Sequence, residues 1–100
     1  VEKRPPHHEP DRIQVGVVRL GAAAFTKSAL DGGRQMGLTV AEMLGVSGLL
    51  SRRNFTKSMT TYADHRVWQD VYRAGTPVGL EAYIKVTLRE EAPVIQFKER

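Results

Sequence analysis

The chain has 100 residues, 41% hydrophobic and 26% charged, with a formal net charge of +4 and a sequence pI near 9.8. That length suits one domain with a core that needs no staple, and that balance is that of a globular rather than a disordered chain. The absence of cysteine rules out disulfide scaffolds, thiolate nucleophiles and zinc ribbons, and the positive charge favours an anionic partner, nucleic acid first.

Residues 1–9 are rich in Pro and His, carry Lys3 and Arg4, and show no apolar periodicity, which predicts an arm that is irregular unless it packs on the domain. Val1-Glu2-Lys3-Arg4-Pro5-Pro6 lacks the apolar stretch of a signal peptide, and no run elsewhere approaches a membrane span. A cytoplasmic protein with no membrane partner is the expectation. From Asp11 to Leu20, apolar Ile13, Val17 and Leu20 recur at helical spacing, with Gly21 as the stop and Gly16 weakening the helix by about 1 kcal/mol. A second helix is predicted from Lys27 to Met36, capped by Thr26 and ended by Gly37, with Gly32-Gly33 as an internal weakness. Thr39-Val40-Ala41-Glu42 is a capping box, and Leu38 with Met43 fits the accompanying hydrophobic staple. That third helix runs to about Leu50, with Val40, Met43, Leu44 and Ser47 on its inner face, and Gly45 with Gly48 predicts close contact with a neighbour.

After Ser51 the period changes from helical to alternating, and strands are predicted at 54–61, 66–73, 80–88 and 93–98. The connections around Ala63-Asp64, Gly75-Thr76-Pro77 and Glu90-Glu91 are too short for crossovers, so the strands form antiparallel hairpins. The fold class is α+β: an arm (1–9), a mainly helical part (10–50) and an antiparallel sheet (51–100), in one domain with the helices on one face of the sheet.

Side chains alternate along a strand, so Lys57 shares a face with Phe55 and Met59, Gln69 with Val71 and Arg73, Tyr83 with Lys85, and Lys98 with Gln96. The opposite faces carry the apolar rows Ala82, Ile84, Val86, Leu88 and Ile95, Phe97, and Trp68 is placed with the core. If the hairpins align the polar faces, Lys57, Gln69, Arg73, Tyr83, Lys85 and Lys98 converge on one cationic surface. Lysine and arginine bind phosphates, and apolar groups contact splayed bases. Attack of a ribose 2′-hydroxyl on the adjacent phosphate needs a base, an acid and donors for a crowded phosphorane, which Lys, Tyr, Gln and Arg supply jointly if one lysine pKa is lowered toward neutrality. The competing reading is a solvated basic strand face that guards a sheet edge. His7-His8-Glu9 is an incomplete metal set, Asp64-His65 beside Ser58 has no nucleophile elbow, and Arg52-Arg53 reads as a solvated pair.

Glu2-Lys3-Arg4, Pro6-His7, the run from Phe55 to His65 (FTKSMTTYADH), Trp68 to Arg73 (WQDVYR) and Phe97-Lys98-Glu99 together resemble the MqsR toxin family, the motility quorum-sensing regulators. The resemblance covers nearly the whole chain. It implies a RelE-like fold with a curved sheet, and an mRNA interferase of a type II toxin-antitoxin pair that cuts free messenger RNA at GCU-type sites. It implies a cognate protein antitoxin as partner, operator DNA met only through the antitoxin complex, and no metal or other cofactor. Carried onto this chain, the family's catalytic positions fall on Lys57, Gln69, Tyr83 and Lys98. Met59 and Arg73 fall on substrate-contacting positions, and Lys85 and Thr56 join them as candidates. The family pattern has a tyrosine where this chain has Thr56, and its loop corresponding to 74–79 is one residue shorter. A non-catalytic regulator that binds RNA or the antitoxin through the same basic face is the alternative.

Overall fold

The computed structural model describes residues 1–90 and 92–100 and shows three α-helices packed on an antiparallel sheet. The elements run β1 (Glu2–Lys3), α1 (Pro10–Leu20), α2 (Lys27–Gln35), α3 (Val40–Gly48), β2 (Phe55–Thr60), β3 (Trp68–Gly75), β4 (Glu81–Arg89) and β5 (Ala92–Glu99). Short 3-10 turns at Gly21–Ala24 and Arg52–Asn54 connect α1 to α2 and lead into β2. Among the described residues the sheet order is β1-β2-β3-β4-β5, every neighbour antiparallel. The expected turn at Glu90-Glu91 lies in part outside the described residues, at Glu91.

The N-terminal arm packs on the domain, the condition under which it is not expected to be irregular. Glu2 pairs with Met59 and Lys3 with Ser58, so the arm supplies a fifth strand on the edge of β2. Two residues are too short to display a period of two, which is why the sequence pattern conceals this strand.

The helix caps form as the residues dictate. Thr26 Oγ1 accepts the Ala29 N–H at 3.0 Å. At α3 the Glu42 N–H donates to Thr39 Oγ1 at 3.1 Å and the Thr39 N–H donates to Glu42 Oε1 at 2.8 Å. Leu38 and Met43 are both buried beneath that box. Val40 is exposed, contrary to its predicted inner position. Gly45 and Gly48 face open space, so they mark no close approach. The tight contacts are at Gly16, against Pro93; at Gly32, against the Phe97 carbonyl; and at Gly33, against the Met43 side chain. Bare backbone at these three positions seats α1 and α2 on β5 and lets α3 reach α2.

The core lies between the helices and one face of the sheet. Ile13, Met43 and Leu50 meet Tyr72, Ala82, Ile84, Val86, Ile95 and Phe97 there, all essentially inaccessible. Removing this apolar surface from water is the main driving force for the assembly.

Candidate active site

The face of the sheet turned away from the helices carries the polar chemistry, and the strand register determines which groups meet. Lys57 lies opposite Val71, which lies opposite Lys85, which lies opposite Gln96. One step along, Arg73 faces Tyr83 and Tyr83 faces Lys98. In the other direction Glu2 faces Met59 and Met59 faces Gln69. Directly paired residues share a face, so the pleats bring all the sequence candidates on β2 to β5 onto one surface, Thr56 excepted. Val71 is fully buried on this side and lies outside the helix-facing core. Its branched side chain forms the floor between Lys57 and Lys85.

Thr56 stands at a register irregularity between Phe55 and Lys57. Phe55 pairs with Tyr72 and Lys57 with the preceding Val71, so β2 contributes one residue more than β3 over this stretch. Such a bulge interrupts the alternation. Phe55 therefore turns to the packing side, where its ring meets the Tyr72 ring edge-on at 5.7 Å, and does not share the Lys57 face as alternation predicts.

Trp68 is likewise displaced from its predicted place in the core. It is half-buried, with the His7 ring stacked on it at 5.3 Å and 18° and the Lys3 ammonium 4.3 Å from its ring centre. Lys3 Nζ also stands 2.8 Å from His7 Nδ1. Burial, reinforced by Lys3, lowers the His7 pKa below its ordinary value. The arm thus docks through a cation, an imidazole and an indole. Among the described residues no three His, Asp or Glu gather to hold a metal ion.

Beneath that stack, Asp70 is fully buried. Its Oδ1 accepts the His7 N–H at 2.9 Å and the Ser58 hydroxyl at 2.7 Å, and its Oδ2 accepts the His8 N–H at 2.7 Å. Burying a carboxylate is costly unless it is hydrogen-bonded, and these three donors meet that requirement. One side chain on β3 thereby ties down both β2 and the arm.

The ion pairs divide the cations of the site face into two groups. Lys57 Nζ donates to Glu2 Oε2 at 2.9 Å, and Arg73 Nε donates to Glu81 Oε1 at 3.1 Å. The Glu2 hydrogen bond and charge hold the Lys57 ammonium above the ordinary lysine range, and Lys57 holds the Glu2 carboxyl below its own. The expectation of a lysine lowered toward neutrality is overturned at Lys57, because a carboxylate from the arm is its nearest neighbour. Lys85 and Lys98 instead flank the Tyr83 ring, at 5.9 and 5.8 Å from its centre. An open cleft of about 530 Å³ lies beside them, with Tyr83, Lys85, Gln96 and Lys98 on the sheet side and Ser28, Asp31 and Gln35 of α2 opposite.

Glu2, Asp70 and the α2 wall are the participants that sequence reasoning missed. Asp70 sits in a run that reads as alternating, and nothing local marks a buried acid. The face offers ammonium, guanidinium, phenol and amide donors, a set suited to a phosphodiester; Tyr83, Lys85, Gln96 and Lys98 line the cleft, and Lys57, Gln69 and Arg73 lie outside it.

Residues 5–99 match the family model described as "Motility quorum-sensing regulator, toxin of MqsA". The chain is also 39% identical, over all 100 residues and the full length of both proteins, to the mRNA interferase toxin MqsR of Escherichia coli strain K12. The match spans every element of the sheet and helices.

Proposed function

The chain belongs to the motility quorum-sensing regulator toxin family, and from that membership and the shared sheet face we propose that it is an mRNA interferase that cuts RNA without a metal. The observation that carries the reading is the register, which puts Lys57, Gln69, Arg73, Tyr83, Lys85 and Lys98 on one surface. In this reading the ribose 2′-oxygen attacks the adjacent phosphorus and the bond from phosphorus to the 5′-oxygen breaks, leaving a 2′,3′-cyclic phosphate and a 5′-hydroxyl. Lys57 acts as an ammonium, in keeping with its raised pKa, and stabilises charge on the phosphorane. Lys98 takes the proton of the attacking 2′-hydroxyl, shares that task as the ammonium so formed, and returns a proton to Tyr83 after the 5′-hydroxyl has left. Tyr83 donates to the leaving oxygen, and Gln69 positions the phosphodiester. Met59, Arg73 and Lys85 on that surface contact the flanking nucleotides, with GCU-type sites preferred, and Thr56 takes part from the bulge beside Lys57. A cognate protein antitoxin neutralises the activity.

Purified protein incubated with unstructured RNA in excess EDTA tests this directly. Cleavage with cyclic phosphate ends is expected, and its loss on chelation would overturn the metal-free chemistry. RNA that is retained but never cut, under any metal condition, would instead favour a regulator that binds through the same face.

A further inference from the structure

We propose that the N-terminal arm is part of the active site, with Glu2 a positioning residue that aims Lys57 at the scissile phosphate and Asp70 the clamp that holds Glu2 there. The inference deepens the reading above and rests on it for the role of Lys57.

Three observations carry it. First, the arm is fixed rather than merely adjacent: the buried Asp70 carboxylate takes the His7 and His8 amides at 2.9 and 2.7 Å, and the Glu2 and Lys3 backbone pairs with Met59 and Ser58. Ser58 also donates its hydroxyl to Asp70, so the strand that carries Lys57 and the arm that carries Glu2 share one anchor. Second, that anchoring puts Glu2 on the site face, opposite Met59 and 2.9 Å from Lys57 Nζ. Third, the Lys57 side chain is only 29% exposed although its family role requires a four-carbon stem to hold one position. A free lysine loses considerable rotamer entropy when it is fixed, and an anchored carboxylate meets part of that cost before substrate arrives.

The donor count supports a positioning role over a blocking one. An ammonium has three N–H donors. Glu2 takes one, which leaves two for phosphoryl oxygens, so the ion pair and the substrate are compatible. The charged and titratable groups that act on Lys57 are Glu2 and Arg4 from the arm and Tyr83 from β4, while Lys85 lies two strands away across the neutral Val71 and Arg73 is paired with Glu81. Of the groups that act on it Glu2 is the carboxylate, and its removal leaves a predominantly cationic surround. Lys57 then loses both its aim and its support as a cation.

The test combines an NMR titration of the Lys57 Cε resonance with the pH profile of RNA cleavage, in the full chain and in Glu2→Gln, an exposed substitution that leaves the core untouched. In the parent, Lys57 titrates above the ordinary lysine range. In Glu2→Gln its titration falls, the alkaline limb of the cleavage profile moves down with it, and kcat drops on the order of 10- to 100-fold while KM changes little. Hydrogen exchange at the His7 and His8 amides reads the clamp independently, and strong protection is expected. An unchanged Lys57 titration and rate in Glu2→Gln, or unprotected His7 and His8 amides, would overturn the inference. Lys57→Ala separates the two levels: if it cuts normally, the proposed role of Lys57 fails and the inference with it. If it is inactive while Glu2→Gln matches the parent, the positioning role alone fails.

Discussion

Lys98 faces Tyr83 across the β4 and β5 pairing, with its ammonium 5.8 Å from the centre of the tyrosine ring and Lys85 at 5.9 Å from the same ring. A phosphodiester held by these two cations would lie beside the phenol between them, and in the proposed reaction that hydroxyl gives its proton to the departing 5′-oxygen. Tyr83→Phe keeps the ring, its packing and the two cation contacts and removes only the hydroxyl. Its denaturation midpoint should match the parent's, and its cleavage rate should fall on the order of 100-fold or more. An equal rate in a folded Tyr83→Phe would move the proton donor elsewhere.

Lys85 forms no ion pair with a carboxylate among the described residues, whereas Lys57 and Arg73 each hold one. Its charge is therefore available to a phosphate without breaking an internal bond. Lys85→Ala should weaken RNA binding and lower the slope of log affinity against log salt by roughly one. A filter-binding series across salt concentrations measures this, and an unchanged slope would place the backbone path away from Lys85.

How much of this could be read in advance depends on the length and regularity of each signal. The capping box at Thr39 and Glu42 and the hairpins of β2 to β5 are local patterns, and they appear in the structure almost as predicted. The sharing of one face by Lys57, Gln69, Arg73, Tyr83, Lys85 and Lys98 follows from a period of two, provided the pairing registers match. The exceptions arise where a long-range partner decides. Phe55 leaves the expected face because β2 bulges against β3, and Trp68 leaves the core because the arm brings His7 and Lys3 to it. Glu2 is 55 residues from Lys57 along the chain, and no spacing rule connects them.

Asp70 concentrates the cost of a single-atom change. Asn in its place offers one acceptor oxygen and turns an NH2 toward donors, so at least one of the His7 and His8 amides or the Ser58 hydroxyl loses its partner. Asp70→Asn should lower stability by about 2 to 3 kcal/mol in urea denaturation. It should also release the arm, seen as faster proteolysis near the N-terminus. A stability within experimental error of the parent would mean that the β1 pairing, the Glu2–Lys57 ion pair and the His7–Trp68 stack hold the arm without Asp70.

Tyr72 gives the protein a defined alkaline weakness. Its side chain is fully buried, its hydroxyl has no hydrogen-bond partner among the described residues, and burial, with the Asp70 charge adding to it, pushes its pKa well above the ordinary tyrosine value. A raised folded-state pKa means that the stability linked to this group is complete below the unfolded value near pH 10 and declines as pH rises through the folded value. Tyr72→Phe removes an unpaired buried hydroxyl and keeps the ring against Phe55. It should be about 1 kcal/mol more stable at neutral pH, and its advantage should grow above about pH 10. Denaturant midpoints at a series of pH values check both parts; a parallel decline in the two proteins would assign the alkaline loss to other groups.

Gly32 links the packing of α2 to the geometry of the cleft. A Cβ at this position would collide with the carbonyl oxygen of Phe97, a backbone atom that cannot rotate away. Ala is the better helix former by about 1 kcal/mol, so intrinsic propensity predicts stabilisation. The collision opposes it: α2 must lift off β5, opening the contact that buries Ala29 and Phe97, and overpacking of this kind costs about 1 to 3 kcal/mol. Gly32→Ala should therefore be destabilised on balance. Because Ser28, Asp31 and Gln35 ride on the same helix opposite Tyr83 and Lys98, the displacement should also raise KM for RNA. Urea denaturation and steady-state cleavage measure the two effects, and a variant more stable than the parent would show that α2 can shift along β5 without loss of packing.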